Sequence, residues 1–158
     1  MSSTNHIALD ILLKAGANVN AHSSFNGRTA LQAAAGGGHH IALNMLLRAG
    51  ADVNAPPADL GGCTALQAAV DGKHLATIEA LLKAGANVNA PGRILGGDTT
   101  FVTAVSGGHH AVIDMLLEAG PVVREMSPWQ WVKLKKRCLG RWGGGVPTVS
   151  VHLDSRPL

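Results

Sequence analysis

Apolar residues in this chain come in short bursts between polar, glycine-rich stretches, and the bursts recur in register. Ala42, Leu43, Leu46 and Leu47 fall at spacings of one, three and four, which places them on one face of a helix running from about residue 40 to 49. Thr77, Ile78, Leu81 and Leu82 repeat that face, as do Val112, Ile113, Leu116 and Leu117, and, at the start, Ala8, Leu9, Leu12 and Leu13. Asn44 and Arg48 point away from it. Asp10 with Lys14, and Glu79 with Lys83, stand as i,i+4 pairs on the exposed side. Gly16, Gly50, Gly85 and Gly120 end the four copies.

A shorter helix precedes each of the last three. Thr29-Ala30-Leu31-Gln32 returns 35 residues later as Thr64-Ala65-Leu66-Gln67, then, degraded, as Thr99-Thr100-Phe101-Val102. A threonine followed three residues on by glutamine is a capping box: the hydroxyl serves a free amide and the glutamine reaches back. Gly36-Gly37-Gly38 ends the first of these helices, and His39, His74 and His109 follow the turns at the same step. Before the short helix, Asn18-Val19-Asn20-Ala21 and His22 to Gly27 are polar and turn-like, a hairpin-like finger. A period of this length means stacked supersecondary units, each resting on its neighbours.

Finger, short helix, tight turn, longer helix: with Gly27 to Ala34 and Gly62 to Ala69 reading Gly-x-Thr-Ala-Leu-Gln-Ala-Ala, and Leu46 to Asn54 and Leu81 to Asn89 reading Leu-Leu-x-Ala-Gly-Ala-x-Val-Asn, residues 5–123 resemble the ankyrin repeat family. The resemblance implies an all-α, ankyrin-type helical solenoid of helix-turn-helix repeats with hairpin-like fingers. Residues 1–125 then form the array: a partial first repeat over 5–17, and repeats over about 18–51, 52–86 and 87–121. The family usually has Pro and His where this chain has Ala30/Ala65 and Gln32/Gln67. The fingers are a residue or two longer than the family's; with Pro56-Pro57 and Gly61-Gly62 they look like those of the large ankyrin arrays of fungal multidomain proteins. The first copy lacks a short helix, which suggests part of a longer array. After Val123 the motif fails, with Arg124 where the other copies have Asn.

Composition fits thin stacked layers. Apolar residues make up 46% of the 158 residues, but alanine is abundant and only three Trp and two Phe are aromatic. No run of about 18 apolar residues suggests a membrane span. Cys63 and Cys138 have neither metal-type spacing nor a disulfide pattern, and the first residues carry no signal-like segment. The expectation is an intracellular, cytoplasmic protein. The formal charge of +3 is unevenly spread. Residues 1–125 hold seven Lys/Arg against nine Asp/Glu, whereas residues 126–158 hold six against one, with all three Trp. In this tail Ser127, Pro128 and Gly140 bracket a helix over 127–139. Trp131, Leu134, Cys138 and Leu139 share one side of it, with Lys135 intruding, and Lys133, Lys136 and Arg137 the other. It could cover the end of repeat three, serve as a basic amphipathic helix for an acidic partner, membrane surface or nucleic acid, or stay unfolded.

Nothing in this pattern suggests catalysis, a cofactor or a metal. Histidines one repeat apart belong to different layers at about 8–10 Å spacing, too far for bonds of about 2 Å to one zinc ion. A turn histidine bonded to backbone is the expectation. The acids Asp10, Glu79, Asp114 and Glu118 fall on solvated helix faces, and the glycine runs do not form a phosphate loop. The expected function is therefore binding of another protein on the concave side. Phe25, Leu60 and Leu95 form an apolar ladder along the fingers, either packed within each finger or presented as a stripe. Arg28, Cys63 and Asp98 share the position before the helix-starting threonine, and Gln32, Gln67 and Val70 complete the candidate surface on the short helices. Association with a membrane or nucleic acid through the basic tail is the alternative. Two backbone expectations follow. Lys73 stands where Gly38 and Gly108 imply positive φ, and repeat three should be the weakest because Val102 replaces the capping glutamine.

Overall fold

The structure, a computed structural model, describes residues 3–23, 27–57, 62–90 and 99–120. Among these it holds seven helices: α1 (Ser3–Lys14), α2 (Ala30–Gly36), α3 (His40–Arg48), α4 (Ala65–Asp71), α5 (Leu75–Lys83), α6 (Thr100–Gly107) and α7 (His110–Glu118). They form two rows. The short helices α2, α4 and α6 stack in order, the longer helices α1, α3, α5 and α7 do the same, and each short helix packs on the longer helix that follows it. The all-α solenoid expected from the sequence is the fold observed.

Local chemistry sets the helix starts. Thr29 and Thr64 are extended N-caps, and both capping boxes are complete: the hydroxyl accepts from the amide of Gln32 or Gln67, whose side chain accepts from the cap amide. At Thr99 only the first half exists, with Val102 N 3.4 Å from the hydroxyl. The turn to the longer helix needs one left-handed residue. Gly38 and Gly108 supply it at φ 67° and 71°, and Lys73 is held there at φ 59°, the one non-glycine residue with positive φ among those described.

The core runs down the middle of the two rows. Leu31, Leu66 and Phe101 from the short helices meet Leu43, Ile78, Ile113 and Leu46, Leu81, Leu116 from the longer ones. α4, flanked by α2 and α6, is buried along residues 65–70. The first copy is different. Leu12 is 57% exposed although its equivalent Leu46 is only 2% exposed, because among the described residues no short helix precedes α1 as α2 precedes α3.

Polar ties lock each repeat to the next. Asn20 accepts from the amide of Asp52 at 2.8 Å and donates to the Gly50 carbonyl at 3.3 Å. Asn54 does the same with Asn87 N at 2.8 Å and Gly85 O at 3.2 Å. Gln32 Nε2 donates across the joint to the carbonyls of Pro56 and Ala55, at 2.9 and 3.2 Å, and Gln67 Nε2 to that of Ala90 at 3.4 Å. His74 Nε2 lies 3.1 Å from the Gly36 carbonyl; a carbonyl only accepts, so the proton sits on Nε2. The histidine does bind backbone, as expected of a turn residue, but the carbonyl belongs to the preceding repeat. The Asp10–Lys14 and Glu79–Lys83 pairs form on the outer row at 2.7 and 2.6 Å, both exposed, where such pairs add little.

Candidate interaction surface

The finger of repeat one begins as an antiparallel pairing of His22 with Thr29. Ser23 N donates to Arg28 O at 2.9 Å, Gly27 N to Ser23 O at 2.8 Å, and His22 Nδ1 reaches Gly27 O at 3.0 Å. Gly27 has φ 62°, which a tight return of the chain requires. The ladder residues Phe25, Leu60 and Leu95, and Asp98, lie outside the described residues.

Four other candidates lie inside the stack and not on its surface. Gln32, Gln67, Val70 and Cys63 are all buried. The reason for the glutamines is physical: Oε1 closes the capping box while Nε2 crosses to the next repeat, so both ends are occupied between layers. Val70 is sealed among the hydrophobic residues of the core. Cys63, with Arg28 Nη2 3.9 Å from its sulfur, is covered at the joint between repeats one and two. Arg28 is half-buried and remains at the surface.

The short-helix side exposes Ala33, Gly36 and Gly37 on α2 and its turn, Asp71 at the end of α4 with Gly72 and Lys73 after it, and Gly107 on α6. The glycines at the turns have close neighbours. A Cβ on Gly37 would sit 2.7 Å from the His39 ring, and one on Gly38 would sit 2.5 Å from the ring of His74 in the next repeat. At Gly37 and Gly38 a side chain would thus require a histidine ring to shift. His109 has its pKa held below the ordinary value, chiefly by desolvation and then by the positive charge of Lys73, with Asp71 acting in the opposite direction.

Sequence reasoning missed the asparagine ties, although Asn20, Asn54 and Asn89 keep the repeat step. Among the described residues no cluster of three or more His, Cys, Asp or Glu is placed to hold a metal ion. No helix there is long and apolar enough to cross a membrane.

Comparison with known proteins agrees with this geometry. Among curated proteins none matches the chain. The model of ankyrin repeats, in three copies, matches residues 1–92. The matched stretch ends before α6, yet α6 and α7 repeat the threonine cap, the left-handed turn and the leading histidine of the earlier copies. More than half of the chain is thus covered by the family's pattern, and it belongs to the ankyrin repeat family.

Proposed function

We propose that the chain binds another protein along the side built by its fingers and short helices. Ankyrin repeats are generally protein–protein interaction modules. The observation that carries the reading is where the polar groups go. The capping threonines, Gln32, Gln67, Asn20, Asn54 and His74 are engaged at caps and joints. They tie successive repeats together and are thereby taken up within the frame. A partner would rest on small residues and be gripped by the fingers.

In this reading the contacts are Phe25, Leu60 and Leu95 along the finger ladder, with Arg28 and Asp98 at the finger bases. At about 10 Å per layer, three repeats span roughly 20 Å, the length of a short peptide or one helix face. Gln32, Gln67, Val70 and Cys63 would support the frame without touching the partner. The test is capture of a partner with the full chain, followed by titration calorimetry on Phe25→Ala and Leu60→Ala. Each should weaken binding by more than about 1 kcal/mol, as apolar anchors do. Circular dichroism must report both variants as folded. Unchanged affinity in folded variants overturns the finger site, and binding that collapses with added salt instead assigns the contact to the basic tail.

A further inference from the structure

The α1 end of the array is open on both rows. Among the described residues five large apolar side chains are exposed, and three of them, Ile7, Ile11 and Leu12, stand on α1. On the short-helix row Ala30 and Ala33 of α2 are exposed, although their equivalents on α4, Ala65 and Ala68, are buried. Both rows have one cause. α4 lies between α2 and α6, whereas among the described residues no short helix precedes α2. The end is therefore a step, with α1 standing one layer ahead of α2. The other end differs. Val102 of α6 is buried, and Leu117 of α7 is half-buried just as Leu47 and Leu82 are. Copies joined head to tail need an open face at each end. With one open face, a copy can meet only the same face of another, about a two-fold axis.

We propose that this end is a self-association surface, through which two copies pair with each α1 taking the short-helix place in front of the other's α2. The step fits its own copy. About a two-fold axis parallel to α1, Ala8 and Leu12 meet Ala8 and Leu12 of the copy. Ile7 and Ile11, one turn apart on one face of α1, rest on Ala30 and Ala33 of the copy. Large side chains thus lie over small ones, the alternation by which layers interdigitate. None of these six residues is charged. The charges of α1, Asp10 and Lys14, pair within the chain at 2.7 Å, so association strands neither. Six side chains, three of them large, make less than the roughly 800 Å² per partner of a standard interface, so the dimer is a weak one, filled at about 100 µM and above. The surface lies at the end of the stack and does not depend on partner binding by the fingers.

Sedimentation of the full chain tests this. The mass should rise from that of the 16.2 kDa monomer at about 5 µM toward twice that value at about 500 µM, and no further. Ile11→Glu should stay monomeric throughout, with an unchanged helical signal in circular dichroism. Ala33→Glu, on the other helix of the step, should do the same, because Ala33 is the seat of the copy's α1. Leu75→Glu, which removes an exposed apolar side chain from α5, should leave the dimer intact. A chain that stays monomeric at the highest concentration overturns the proposal, as does growth beyond two copies. Association that survives Ile11→Glu lies elsewhere in the chain and overturns it too. Loss with Ile11→Glu but not with Ala33→Glu overturns the reciprocal seating, and loss with Leu75→Glu as well would mean unspecific apolar association.

Discussion

Among the described residues, Thr77 Oγ1 and Thr100 Oγ1 are buried without a hydrogen-bond partner. Such a group has given up water for nothing, at a cost of about 1–3 kcal/mol. The array supplies its own remedies, since Val112 stands at the position of Thr77, and Ala30 and Ala65 at that of Thr100. Thr77→Val and Thr100→Ala should therefore each stabilise the protein by about 1 kcal/mol, read as a higher urea midpoint at unchanged slope. A lower midpoint would mean that the hydroxyls are in fact bonded. Lys73 is a second local cost. Its left-handed backbone costs a non-glycine residue about 1–2 kcal/mol, while glycine adds about 0.5–1 kcal/mol of chain entropy to lose. Lys73→Gly should thus raise stability by less than about 1 kcal/mol. The same change removes one of the charges acting on His109. A histidine whose folded pKa is depressed binds fewer protons when folded. Its contribution is present above the ordinary histidine pKa and is lost as pH falls through the folded value. In Lys73→Gly the His109 ring should titrate at higher pH than in the parent, followed by proton resonance of the imidazole. An unmoved titration would leave burial as the sole cause. The strain at Lys73 was legible because two aligned glycines declared the backbone. The stranded hydroxyls were not, because threonine at those positions reads as an ordinary helix residue until its neighbours are placed.

At the level of elements, the repeat period made the helices legible and hid what joins them. A capping box is a local pattern, so Thr29–Gln32 and Thr64–Gln67 could be read from spacing alone. The box uses only Oε1, and the destination of Nε2 lies 23 or 24 residues away, in the next finger. Glutamine on a short helix therefore read as surface when it is an interior tie. Asn20 and Asn54 were legible only as turn formers, since their partners lie 30 to 33 residues on. The same accounting makes α6 the weak element. It keeps the threonine cap at 3.4 Å, but Val102 has no side-chain amide to return the bond or to tie onward as Gln32 and Gln67 do. Losing a cap contact costs about 1 kcal/mol, so amides of α6 and α7 should exchange about five-fold faster than those of α4 and α5. Because stability in a stack passes between neighbours, α4, packed between α2 and α6, should exchange slowest. Equal protection in the second and third repeats would mean that something beyond α7 restores what the cap lost.

Across the whole molecule, burial is set by who stands next in the stack. Leu12, Leu46, Leu81 and Leu116 occupy one position in four copies of one pattern, and three are essentially buried while Leu12 is 57% exposed. Nothing in the local sequence distinguishes them; the missing short helix does. Ile7 and Ile11, each 60% exposed, add to the open face of α1. The fold can therefore be extended by its own rule. His39 aligns with Asn5, so replacing residues 1–5 by a copy of residues 22–39 would place a finger and a short helix in front of α1 in correct register. That helix would cover Leu12 as α2 covers Leu46. Full burial of a leucine side chain contributes about 1.5–3 kcal/mol, and part of this offsets the ordering of the added residues. The extended chain should unfold at a higher urea concentration and with a steeper slope, because it exposes more surface on unfolding. Amides of α1, which have packing on one side only, should show the largest gain in protection. A steeper slope without a higher midpoint would mean that the added helix folds beside α1 without burying it. A midpoint and slope both unchanged would mean that α1 does not take the place that α3 takes in its repeat, and the equivalence of Leu12 with Leu46 would then fall.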